Sequence, residues 1–157
     1  MQKAIEMRPA FRELHGIEVD AELAERAHRR FLSDSRVKIH HGSSLDVLPK
    51  ILNPARTTLF WLDAHYDGVR PTSFDPKHGQ NVLIGELRII LALPWRPLIL
   101  IDDASTFCSD RWWDRFHGTD MNRGQNPTFQ QIYDAFAGEL DTYNLLVHNR
   151  AIHCLPR

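Results

Sequence analysis

Two cysteines in 157 residues, Cys108 and Cys154, are too few for a disulfide framework. Cys154 stands in an apolar run, where a free thiol serves as a small core residue. No apolar stretch approaches the roughly twenty residues of a bilayer-crossing helix. The opening residues, 1–9, lack the apolar centre of a secretory leader. Excess charge of one sign is also missing. With 19 basic and 20 acidic side chains the formal net charge is -1, so bulk electrostatics draw the chain neither to nucleic acid nor to an anionic membrane. The basic residues form no aromatic-interleaved stripe for RNA or DNA. No Gly-x-x-x-x-Gly-Lys run cradles a triphosphate, no Gly-x-Ser-x-Gly elbow presents a nucleophile, and no Cys/His spacing suits zinc. Repeats, low-complexity tracts and linkers are absent. These absences predict one domain over residues 1–157, in a reducing, cytoplasmic compartment.

What is present is organised around residues 57–63, a short apolar run that ends in Asp63 and is followed closely by His65. Residues 97–103 repeat the design and end in Asp102 and Asp103. Short apolar runs between turn signals read as strands buried on both faces of a parallel sheet. In such sheets ligands sit beyond the carboxyl ends of the strands, where these acids are released. Upstream, residues 13–20 read as a strand ending in Glu18 and Asp20, and Asp20 caps a helix over 21–33. Val37 and Ile39 mark a weaker strand. Gly42-Ser43-Ser44 is a turn and cap, and Leu45, Leu48, Ile51 and Leu52 give the next helix its apolar face. Asn81 caps a nearly all-apolar helix over 82–92. Residues 104–126 form a long irregular segment with Trp112 and Trp113, which either covers an acceptor or packs the segment down. Thr128 caps a helix to about residue 137, and residues 143–148 and 151–155 close the chain as an antiparallel pair. Strands alternating with helices predict an α/β fold: a three-layer sandwich around a Rossmann-like, mainly parallel sheet, with the antiparallel pair at one edge.

Neighbouring strands lie about 4.8 Å apart, so Asp63 and Asp102 can face one cavity, and Asp103 joins them where the chain bends. Clustered carboxylates repel one another unless protonated or bridged by a cation, and a hard divalent ion such as Mg²⁺ meets that need. The same aspartates also serve as caps or Asx turns. His65 has the chemistry of a general base or ligand. Glu18 can accept both hydroxyls of a ribose or form a surface ion pair, and Gly42 and Ser43 can touch a base or simply cap a helix. Glu86, the lone acid of an apolar helix, is expected to be neutralised by Arg88 or Arg70.

With these residues in view, the chain resembles the class I S-adenosylmethionine-dependent methyltransferases. Leu14-His15-Gly16-Ile17-Glu18, Gly42-Ser43-Ser44, Phe60-Trp61-Leu62-Asp63-Ala64-His65 and Leu100-Ile101-Asp102-Asp103 fall in that family's order. The acids look most like those of its metal-dependent O-methyltransferases. The resemblance implies that Glu18 binds the ribose of the methyl donor and that Gly42 and Ser43 lie at its adenine. It further implies that Asp63, Asp102 and Asp103 hold Mg²⁺, and that Asp63 or His65 takes the proton of a small hydroxylated acceptor. The family's first strand, central in its sheet, and the glycine-rich loop around the donor's methionine end would precede the strand at Glu13. Residues 1–12 hold no Gly-x-Gly. The expectation is therefore an N-terminally truncated domain, with a groove where that strand belongs and weak donor binding. Two other readings stay open. One is a Mg²⁺-dependent phosphoester or sugar-nucleotide enzyme built on the same acids. The other is a non-catalytic remnant that binds a partner, or a second copy as a homodimer, through the groove.

Overall fold

In the computed structural model, which describes residues 11–64, 75, 77–79, 81–107 and 126–157, each α-helix starts where the sequence offers an oxygen to its orphan amides. Asp20 Oδ1 accepts from the N–H of Glu22 at 2.8 Å and of Leu23 at 3.0 Å, opening α1 (Ala21–Phe31). Ser43 Oγ accepts from the Leu45 N–H at the start of α2 (Ser44–Ile51). Asn81 Oδ1 accepts from the N–H of Leu83, the first residue of α3 (Leu83–Leu91). Thr128 and Gln131 exchange hydrogen bonds in a capping box that opens α4 (Phe129–Ala135). Pro49 lies inside α2 near its end. It leaves the Leu45 carbonyl without its helical donor, and the helix stops at Ile51.

The strands are β1 (Leu14–Glu18), β2 (Val37–His41), β3 (Leu59–Leu62), β4 (Leu98–Ile101), β5 (Tyr143–His148) and β6 (Ala151–Pro156). The result is a mixed α/β structure in two sheets. β1 pairs with β2 in parallel, Leu14 opposite Val37 through Glu18 opposite His41. The second sheet has the order β3-β4-β6-β5, with β3 and β4 parallel and β6 antiparallel to both its neighbours. No ladder joins β1 to β3 among the described residues. Their N-terminal ends are linked instead by side chains. Glu13, just before β1, accepts from Lys38 Nζ at 2.6 Å and pairs with Arg56, which lies three residues before β3. The expected burial of the apolar strands on both faces is met only in part: Phe60 and Leu62 are buried, whereas Trp61 between them is 45% exposed.

One core cluster unites Phe60 and Leu62 of β3, Ile99 and Ile101 of β4 and Ile152 and Cys154 of β6 with residues of α3 and α4. Tyr143 of β5 sits edge-on to Phe136, ring centroids 5.2 Å apart, and its hydroxyl donates to the Pro97 carbonyl at 2.9 Å. Burial pushes the free Cys154 thiol up to about 12, which makes it an inert core residue. No helix among the described residues is long and apolar enough to cross a membrane.

The β5–β6 hairpin turns through Asn149 (φ 48°) and Arg150 (φ 68°), both left-handed, between the paired residues His148 and Ala151. Such a two-residue turn matches the twist of the strands and prefers glycine at its second position. Arg150→Gly is expected to stabilise the protein by about 1 kcal/mol, the strain of a left-handed side-chain-bearing residue. The Arg150–Asp103 pair that it removes has Arg150 78% exposed, and exposed pairs contribute little. Urea unfolding midpoints check this, and a lower midpoint in the variant would give the pair the larger share.

Candidate functional site

The acids at the ends of β3 and β4 emerge as neighbours. Leu62 stands opposite Ile101, and the parallel ladder runs one step further, with the Asp102 N–H donating to the Leu62 carbonyl at 2.9 Å. Asp63 and Asp102 therefore leave adjacent strands at the same end, with Asp63 exposed. The chain bends where the sequence reading required it to, since Asp103 takes φ 52°. The bend serves other partners. Asp102 Oδ1 accepts from the Asp103 N–H at 2.8 Å, and Asp103 Oδ1 accepts from Arg150 Nη2 at 2.9 Å. The Ala104 N–H donates to the Arg150 carbonyl at 2.7 Å, so the β5–β6 turn is clamped onto the end of β4. Among the described residues no three His, Cys, Asp or Glu side chains are placed to hold a metal ion. Asp63, Asp102 and Asp103 thus form no Mg²⁺ ligand set as they stand, and a guanidinium answers the charge of Asp103. His65, Arg70, Trp112 and Trp113 lie outside the described residues.

A second group of expected residues converges at the carboxyl end of β1 and β2. The Gly42 N–H donates to the Glu18 carbonyl at 2.9 Å, and Glu18 Oε1 accepts from the Asp20 N–H at 2.9 Å. Gly42 has φ 143°, and a Cβ there would stand 3.3 Å from Val47 Cγ2, so the tight turn needs glycine. Glu18, Gly42 and Ser43 are therefore brought together by the β1–β2 register. Ser43 and Asp20 both perform the capping that the sequence reading allowed them.

Several neighbours of this end are missed by sequence reasoning. Asp75 is 6% exposed, and its Oδ1 accepts from the N–H groups of Lys77 at 2.9 Å and His78 at 3.1 Å. Burial alone would raise its carboxyl, but the Ser43 hydroxyl and those two N–H groups outweigh it and hold the pKa below the usual range. Asp46 of α2 pairs with Lys77 at 2.6 Å and with His78 at 3.3 Å. On the face of β1 and β2 that carries Glu13 and Lys38, His15 stacks on His40 with Nδ1 3.0 Å from Nε2. Burial, with the charges of His15 and Lys38 behind it, lowers the pKa of His40. Only strand register brings His15 to His40, and no local sequence signal announces it.

Glu86 departs from expectation. It is 3% exposed on α3, Arg88 is exposed, and no ion pair reaches Glu86 among the described residues. Two residues apart on a helix, side chains 86 and 88 point away from each other. Glu86 faces Ser44 at the start of α2, where the helices meet closely: a Cβ on Gly85 would come within 2.7 Å of Leu45 Cδ2. Burial pushes the Glu86 carboxyl up to about 7, and the Ser44 hydroxyl offsets only part of that. Neither Glu86 Oε2 nor Ser44 Oγ completes a hydrogen bond.

Comparison of the chain with protein-family models, with curated proteins and with solved structures gave no match.

Proposed function

We propose that the chain is an S-adenosylmethionine-binding domain of the class I methyltransferase kind, whose chemistry is methyl transfer to an oxygen of a small hydroxylated acceptor. The observation that carries this reading is the convergence of Glu18 with Gly42 and Ser43 at the carboxyl end of a parallel strand pair, the end at which open α/β sheets bind ligands. The strand order supports it. Among the described residues β1 and β3 each keep one unpaired edge, and the Glu13–Arg56 pair links their N-terminal ends. Two strand spacings are about 10 Å, a span that facing arginine and glutamate side chains bridge. A single strand between β1 and β3 would unite the two sheets into one Rossmann-like sheet with β6 and β5 at its edge, the layered α/β form that the resemblance implies.

In this reading the Glu18 carboxylate accepts the ribose hydroxyls, and the Gly42–Ser43 turn lets the chain approach the adenine without a side chain between them. The donor, when bound, supplies a methyl group activated by its sulfonium. Asp63, exposed at the end of β3, is the described carboxylate at the neighbouring strand ends that can take the acceptor's proton.

Titration with S-adenosylmethionine, followed by calorimetry and amide NMR, tests the reading. Weak binding that moves the Val19, Gly42 and Ser43 signals is expected. Glu18→Ala is expected to weaken it about tenfold, the loss of one charge-assisted contact of about 1.4 kcal/mol. Equal affinity in the two proteins, or shifts confined to other residues, would exclude adenosine from this end.

A further inference from the structure

The buried polar groups of Glu86 and Ser44 have no assigned role. Glu86 is buried on α3, and Ser44 is the first residue of α2, directly after the Gly42–Ser43 turn. Both carry a buried oxygen without a hydrogen-bond partner, and the two helices pack tightly beside them, a Cβ on Gly85 coming within 2.7 Å of Leu45 Cδ2. An unpaired buried carboxylate is costly, and a neutral carboxyl that can donate to a hydroxyl is not. The charged groups on the packed elements lead elsewhere. Asp46 of α2 is held by Lys77 and His78, Lys50 is exposed at the far end of α2, and Asp134 of α4 accepts from Gln130. Asp75 is bound by the backbone of its own turn, and Arg88 points to solvent.

We propose that Glu86 and Ser44 form a proton-controlled latch: with its proton Glu86 holds the first turn of α2 against α3, and on losing it the two helices part and carry the Gly42–Ser43 turn with them. The carboxyl's upward displacement to about 7 places the transition near neutrality. The functional consequence, though not the latch itself, rests on the adenosine reading of Gly42 and Ser43. Donor affinity then falls as pH rises through neutrality, because ionisation unseats the turn.

Selective ¹³C labelling of glutamate carboxyls and ¹⁵N amide spectra between pH 5 and 9 test the latch without any donor. The Glu86 carboxyl is expected to titrate near neutrality, and the Gly42, Ser43 and Leu45 amides to move with the same midpoint. In Glu86→Gln, which keeps the neutral shape, that amide step disappears. In Ser44→Ala the carboxyl still titrates but the amides no longer follow. A carboxyl titrating in the ordinary range, amides that ignore it, or a step that survives in Glu86→Gln would each overturn the proposal. Binding of S-adenosylmethionine is measured separately at pH 6 and 8, where the latch predicts a loss of about tenfold, the fall in the protonated fraction across a midpoint near neutrality. Absence of donor binding together with an intact amide step would remove the adenosine reading and leave the latch standing.

Discussion

Replacing Glu86 by glutamine is expected to stabilise the protein by about 3 kcal/mol at pH 8 and to change little at pH 4.5. The sign follows from linkage. The carboxyl lies at about 7 in the folded chain against 4.5 for the free group, and burial is the main cause. A raised folded value means that the stabilising contribution is full below about pH 4.5 and is lost as pH climbs through 7. Above that, the native protein carries a fixed cost of roughly 1.4 kcal/mol for each pH unit between the two values. Glutamine occupies the same volume, keeps a donor for Ser44 Oγ and never ionises. Urea unfolding of both proteins at pH 4.5 and pH 8 measures the effect. Equal stability at pH 8 would mean that Glu86 reaches a cation or solvent, and the account of its burial would be wrong.

Ile99→Ala is expected to cost about 4 kcal/mol, a large part of the 5–15 kcal/mol that usually separates folded from unfolded chains. Ile99 has no exposed surface, and it stands opposite Phe60 on β3 and opposite Cys154 on β6. Truncating it opens a cavity at the midpoint of the β3-β4-β6 ladder, where strands on both sides fix the backbone and little can collapse into the space. Trp61→Ala removes a larger side chain from the neighbouring strand yet is expected to cost less, because Trp61 is 45% exposed. Should the alanine variant not fold, Ile99→Val supplies a milder step of about 1 kcal/mol. A Trp61→Ala loss exceeding that of Ile99→Ala would reverse the assignment of the covered face.

Local chemistry was the legible part of this chain. Asp20, Ser43, Asn81 and Thr128 announce helix starts because a cap is a contact between residues two or three apart. The apolar runs at β3 and β4 announce strands. The convergence of Glu18 with Gly42 also follows from order, since β1 and β2 run parallel in register. Contacts made across the fold were hidden. Nothing near Asp103 in the sequence announces Arg150, which the hairpin turn brings to it from 47 positions away. Arg88 looks like a partner for Glu86 only until helical geometry sends the two side chains apart.

The place of β6 bears on how the protein is made. β6, which follows every other described strand in the sequence, lies inside its sheet, between β4 and β5. Until it leaves the ribosome, β4 presents a bare row of backbone groups beside Leu98, Ile99, Leu100 and Ile101, the kind of edge on which nascent chains associate wrongly. The sheet can close only after the roughly fifty residues between β4 and β6 have been translated, so a chaperone that shields β4 during that interval would govern yield without contributing anything to final stability.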